Sequence, residues 1–273
     1  MKANKKLLIS AMALGLAGLT TVGSTYAWFA MNRTVTADGM KLKATTSTTL
    51  LISNSSDVDS TKNNRLTNGG ASYTFTDAAV SLSPTSTVDG SKWFSAEAED
   101  VDDKTAISGS YTEVDSAALD SYRLAKVVYV QNFDSGKTGL SGESLIISNI
   151  KSVYSTGDKI SSSLRVLAIC NNTKLFVAPL SATVPTNQGV QAVDNSGNAT
   201  LADLVYATSV YDVDTSVSTL SANNVLISDV EYNTIYTINL YLYFDGEDTN
   251  CYTDNLPDTL NDYSIGITFK LNK

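Results

Sequence analysis

The stretch TIYTINLYLYF, Thr234 to Phe244, and its partner near the end of the chain, YSIGITFKL, Tyr263 to Leu271, decide the fold class. In the first, Ile238, Leu240, Leu242 and Phe244 recur at every second position. In the second, Ile265, Ile267, Phe269 and Leu271 do so, with Ser264, Thr268 and Lys270 opposite. Side chains of a strand alternate between faces, so a period of two describes a strand with one apolar and one polar face. Such strands belong to antiparallel sheets packed face to face, and the expectation is an all-β, antiparallel, jelly-roll-like β-sandwich.

Working outward, further strands are expected at Leu124 to Gln131 (LAKVVYVQ), Ser144 to Tyr154 and Leu164 to Cys170 (LRVLAIC). Weaker ones fall at Thr49 to Ser53, Ala71 to Thr76 and Lys174 to Ala178. Between them lie polar stretches, Asn54 to Gly70, Ser95 to Ser110 and Val184 to Thr200, which read as long loops or partly ordered insertions. Short helices are expected at Ser116 to Arg123 and Leu201 to Ala207. No fixed-period repeat or internal domain boundary is visible, and residues 28–273 read as a single domain.

Composition agrees with this class. The chain has 273 residues, 42% of them hydrophobic, enough to bury a sizeable core. Its net charge is −9, and such an acidic surface repels phosphate backbones, so nucleic acid is a poor partner. There is no histidine at all. That removes Ser-His-Asp and Cys-His nucleophile pairs, HExxH zinc sites and the usual proton carrier at neutral pH. Carboxylate pairs could hydrolyse glycosides, but their separation is not legible from spacing. The reading is therefore of a non-enzyme.

Two cysteines, Cys170 and Cys251, are either buried free thiols or a disulfide. In an exported protein a bridge is the favoured reading. It would close a loop of about 80 residues, worth roughly 4 kcal/mol.

The loop FDGEDTNCYTDN, Phe244 to Asn255, gathers oxygen ligands at Asp245, Glu247, Asp248, Asn250 and Asp254. Calcium takes such donors, and Asp245-Gly246 supplies a turn. The spacing does not follow the EF-hand pattern, so a solvated acidic hairpin loop is the preferred reading and a calcium site the alternative. LPDTL, Leu256 to Leu260, resembles a sortase signal but has Leu where Gly is required, and a strand rather than an apolar span follows it. Trp93, Phe94, Tyr111 and Tyr252 could line a carbohydrate site, although aromatics of this kind more often fill cores.

The amino terminus fixes the expected location. Lys2, Lys5 and Lys6 precede an apolar run from Leu7 to Leu19, and small residues follow at Thr25 and Ala27. These are the parts of a secretory signal, with residues 1–27 removed by a cut between Ala27 and Trp28. Loss of its three lysines takes the charge from −9 to −12. The alternative is a retained anchor, since no charge interrupts Leu7 to Asn32. After the cut, Phe29, Met31, Val35 and Ala37 share one face of a strand, with Arg33 intruding, and the alternation resumes through Met40, Leu42 and Ala44. Residues 28–44 thus read as an N-terminal strand that pairs in its own sheet or is donated to another chain.

The residues STYAWFAMNRTVTADGMKLKA, after a basic start and a Gly-rich apolar segment, resemble the leader and first strand of the TasA/camelysin family of exported Gram-positive proteins. This chain has AMN after the Phe where that family usually has an acidic TD. The resemblance covers about the first 45 residues. It implies a jelly-roll fold, secretion to the cell surface or biofilm matrix, and self-association into fibres through a donated N-terminal strand. Some members of that family were described as metalloproteases, which a chain without histidine does not support. The expected function is that of a secreted structural protein, touching the membrane only transiently through its leader. The alternative is a monomeric calcium-dependent adhesin or carbohydrate-binding module.

Overall fold

The computed structural model describes residues 35–38, 41–46, 50–76, 80–98, 107–153, 163–180, 190–202, 204, 206–212, 214–246, 248, 251, 260–261 and 264–273. Two large sheets dominate. The first has five strands in the order Thr173–Val177, Leu164–Cys170, Ile235–Phe244, Leu124–Asn132 and Leu50–Ser53, each pair antiparallel. The second runs Thr208–Asp212, Val217–Ala222, Ser144–Val153, Ser264–Asn272, Lys41–Thr46 and Ser72–Thr76, with Val225–Ile227 also pairing onto Ser144–Val153. Its one parallel pair joins Lys41–Thr46 to Ser264–Asn272.

The strand that decided the fold class lies at the centre of the first sheet. Register places Val128 and Cys170 on either side of Ile238, and Leu124 and Val166 on either side of Leu242. These residues meet Ile147, Ile150, Ile265, Ile267, Phe269 and Ala44 of the second sheet in one buried cluster. Each large aliphatic or aromatic side chain so buried contributes about 1.5–3 kcal/mol, which is what holds the two sheets face to face. The second sheet keeps a polar outer face: Lys43, Lys151 and Asp212 are exposed.

The outer face of the first sheet is divided: Ala125, Val127 and Thr237 are exposed at one end, while the end at Leu164–Cys170 is covered. The covered end carries Leu167, Phe176 and Tyr243, with Tyr241 partly buried beside them, and packs against Trp93, Val114, Leu204 and Tyr206. The exposed end fits the expectation of one solvated side, and the covered end at Leu164–Cys170 departs from it. The strand LRVLAIC is apolar on both faces because both are packed. Gly90 lets the covering segment approach closely: its φ is +77°, and a Cβ there would meet Ile169 Cδ1 at 2.9 Å and Leu167 Cδ2 at 3.0 Å. From this turn the Gly90 carbonyl accepts the Trp93 indole N–H at 3.1 Å, fixing the ring against Tyr243.

The stretches expected to be loops contain short hairpins. Within Asn54 to Gly70, Val58–Asp59 pairs with Arg65–Leu66. Overlapping the other two and running past their ends, Phe94–Ala98 pairs with Ile107–Glu113, and Val190–Val193 with Ala199–Ala202. The expected helix at Ser116 to Arg123 is reduced to one 3-10 turn, Leu119–Ser121. That at Leu201 to Ala207 is replaced by a strand and an extended segment bridged to Phe176. Leu204, Tyr206 and Ala207 are all buried, which suits an extended chain lying against a core better than a one-sided helix.

A short third sheet holds the beginning of the described chain. Val35–Asp38 pairs antiparallel with Val80–Leu82 and parallel with Leu260–Asn261.

Candidate functional site: the acidic loop and Arg165

Arg165 is the one charged residue in an otherwise apolar strand, and it points away from the principal core, alongside Leu167. Its side chain is only 2% exposed. The acidic loop closes over it. The Asp245 N–H donates to the Ser163 carbonyl at 2.9 Å, and Gly246 N–H donates to Thr85 O at 3.1 Å. A turn then brings Asp248 N–H to Asp245 O at 3.1 Å and Cys251 N–H to Asp248 O at 2.8 Å. This geometry sets both carboxylates against the guanidinium. Arg165 Nη2 donates to Asp248 Oδ2, Nε lies 3.6 Å from Asp245 Oδ2, and Nη1 donates to the Leu164 carbonyl at 3.0 Å.

Burial alone would lower the Arg165 pKa. The adjacent Tyr206 oxygen and the carboxylates of Asp248 and Asp245 outweigh it and raise the pKa above its ordinary value. Burial likewise pushes the Tyr206 and Tyr243 phenols upward, so both stay neutral beside the ion cluster.

Two members of the candidate calcium set, Asp245 and Asp248, are therefore already paired with a fixed internal cation. Glu247, Asn250 and Asp254 lie outside the described residues. Among the described residues no group of three or more Cys, Asp or Glu is arranged to hold a metal ion. In the described geometry Arg165 locks the loop to the sheet. Sequence reading passed over it, although a lone Arg inside an apolar strand demands a buried counter-charge and was the available signal.

The expected Cys170–Cys251 bridge is not formed; both are buried free thiols. The reason is the strand between them. Cys251 lies beside Ser163, just before Leu164–Cys170, whereas Cys170 ends that strand. At about 3.3 Å per residue the two sites are some 20 Å apart, far beyond the roughly 7 Å that a disulfide spans. Burial pushes the Cys170 thiol up to about 11 and that of Cys251 higher still.

Of the aromatic candidates, Trp93 and Phe94 are 2% and 3% exposed and are core residues. Trp93 packs edge-on to Tyr243 at 5.0 Å, and the Arg123 guanidinium lies 5.1 Å from Trp93 and 4.6 Å from Tyr241. Tyr252 lies outside the described residues. A separate polar cleft of about 210 Å³ opens between Asn132–Lys137 and Tyr232. The Tyr232 ring there is occupied by Lys137 at 5.0 Å, so it offers no bare platform to a sugar.

The signal segment 1–27, the cut residues Ala27 and Trp28, and Phe29 and Met31 of the expected donor strand lie outside the described residues. Val35 and Ala37 lie in the short third sheet, paired within their own chain. No helix among the described residues is long and apolar enough to cross a membrane. No protein-family model matches the chain, and no curated protein is similar to it in sequence.

Proposed function

We propose that the protein is a secreted structural component of the cell surface or matrix, a jelly-roll-like sandwich that polymerises by passing its N-terminal strand to the next subunit. The observation that carries this reading is the position of Val35–Asp38. Among the described residues it pairs only with Val80–Leu82 and Leu260–Asn261, a three-residue and a two-residue strand, outside both large sheets. A strand so placed is a natural anchor for a preceding segment that pairs elsewhere. Trp28 to Thr34 would then extend into a neighbour, with Phe29 and Met31 filling alternate pockets and Arg33 reaching a carboxylate at the rim. The leader and the family resemblance support the same reading, as does a chain without histidine whose prominent buried charge cluster fastens a loop rather than presenting a reactive group.

Truncation of Trp28 to Thr34 tests it, because that change leaves Val35–Asp38 in place. The mature protein should form polymers that survive dilution and are visible by negative stain. The truncated protein should be a folded monomer on dilution with an unchanged melting temperature. Dilution-stable polymers from the truncated chain would overturn the proposal.

A further inference from the structure

We infer that the polar cleft between Asn132–Lys137 and Tyr232 binds a small zwitterion, a free α-amino acid. The Asn132 amide and Lys273 take its carboxylate, and Glu143 takes its ammonium. The site lies within a single chain and does not depend on assembly.

The cleft carries an unmet donor. Asn132 ends the strand Leu124–Asn132, is only 2% exposed and is the most buried of the residues around the cleft. Its amide Nδ2 is enclosed and has no hydrogen-bond partner. A buried donor left unpaired costs folding free energy, so its retention calls for a group that completes it. The χ2 torsion of Asn is broad, and rotation about it turns the N–H toward a ligand in the cleft. The walls hold their shape without such a ligand. The Asn233 side chain donates to the Asp134 and Lys137 carbonyls at 2.9 and 2.8 Å and accepts the Asp134 N–H at 3.0 Å. Nearby, Ser141 N–H donates to the Val230 carbonyl and Val230 N–H to the Glu143 carbonyl, both at 2.8 Å. Gly142 N–H donates to Asp229 Oδ1 at 3.0 Å. A site shaped before binding loses little entropy when its ligand arrives.

The side-chain charges around the cleft select the ligand. Lys137 is already engaged: its ammonium lies 3.3 Å from Asp134 Oδ2 and 5.0 Å from the Tyr232 ring centre. Register pairs Ser144 with Asn272, so Glu143 and Lys273 follow as neighbours at the end of those two strands. Among the described residues neither side chain forms an ion pair. The cleft thus presents one uncommitted carboxylate and one uncommitted ammonium beside the Asn132 amide. A simple anion would meet Glu143 and a simple cation Lys273, and with the Tyr232 ring taken a neutral sugar finds no stacking face. A molecule carrying both signs a few ångströms apart satisfies all three groups through charge-assisted hydrogen bonds. The cleft volume of about 210 Å³ is below the roughly 300–1,000 Å³ typical of ligand pockets, which limits the occupant to the size of an amino acid.

Isothermal titration calorimetry on the mature chain, with glycine as the probe, tests this. Glycine should bind saturably, with a single molecule per chain. Chains truncated at Trp28 to Thr34 should give the same stoichiometry, which separates this site from strand donation. Acetate, methylammonium and glucose should each bind at least about tenfold more weakly, since each lacks one or both charges. Asn132→Leu removes the amide and Glu143→Gln removes the carboxylate. Each should weaken glycine binding about tenfold or more, with a melting temperature at or above that of wild type. For Asn132→Leu that retained stability is diagnostic, because an amide bonded within the fold would be missed. Absence of saturable glycine binding, acetate or glucose binding as tight as glycine, or variants that bind glycine as wild type does would overturn the inference. So would an Asn132→Leu variant that melts clearly below wild type.

Discussion

Replacing Arg165 with methionine tests the buried ion cluster directly. Methionine fills much of the volume of the aliphatic stem but removes the charge, taking the Arg165 guanidinium away from Asp245, 6% exposed, and Asp248. Breaking a buried ion pair from one side costs about 3–5 kcal/mol, because the remaining charge stays desolvated. In a domain of this size each kcal/mol moves the midpoint by about 2–4 °C, so R165M should melt roughly 6–20 °C below wild type. Differential scanning calorimetry at neutral pH reads this. Adding Asp245→Asn and Asp248→Asn to R165M should recover at least half of the loss, since the penalty comes from bare carboxylates and not from lost packing. A single R165M variant within about 2 °C of wild type would refute the argument, because that is less than the shift expected for 1 kcal/mol. Failure of the Asn pair to rescue would reassign the loss to packing.

The remaining predictions concern other parts of the same framework. Thiol titration in denaturant without reductant should find both cysteines free, and in the native state neither should react at pH 8, given burial and a Cys170 pKa pushed up to about 11; detection of no free thiol in denaturant would mean the bridge forms. Gly90→Ala should destabilise by about 1–3 kcal/mol in urea melts, because φ is +77° and the added methyl meets Ile169 and Leu167. Burial pulls the Asp89 carboxyl upward, but hydrogen bonds from the Ser91 hydroxyl and backbone N–H and from Asn195, with Lys174 nearby, lower its pKa overall. Its folded pKa thus lies below the unfolded value near 3.9, so its stabilisation is present above pH 4 and is lost as pH falls through the folded pKa. The stability gap between wild type and Asp89→Asn should therefore close between pH 5 and pH 2, and a gap constant over that range would contradict the assignment.

What the sequence determined by itself was the local pattern. Period-two alternation in Ile235–Phe244 and Ser264–Asn272 is dictated by the pleat, so it declared strands and an antiparallel sandwich without any tertiary information. Leu164–Cys170 was legible as a strand, but not why it lacks alternation. Its second apolar face is explained only by Trp93 and Tyr206, which reach it from distant segments. The polar stretches concealed small hairpins for the same reason. A two- to seven-residue strand has too little periodicity to announce itself and forms because a partner supplies its backbone hydrogen bonds. The acidic loop shows the division most clearly. Its composition could be read as ligands for calcium, whereas the partner of Asp245 and Asp248 lies some 80 residues earlier at Arg165, a contact that only strand pairing creates. Cys170 and Cys251 were available to pair on paper, and the length of one strand keeps them apart. Residue types follow from the chain, but which charges and thiols meet depends on long-range register, and register is set by the packed core as a whole.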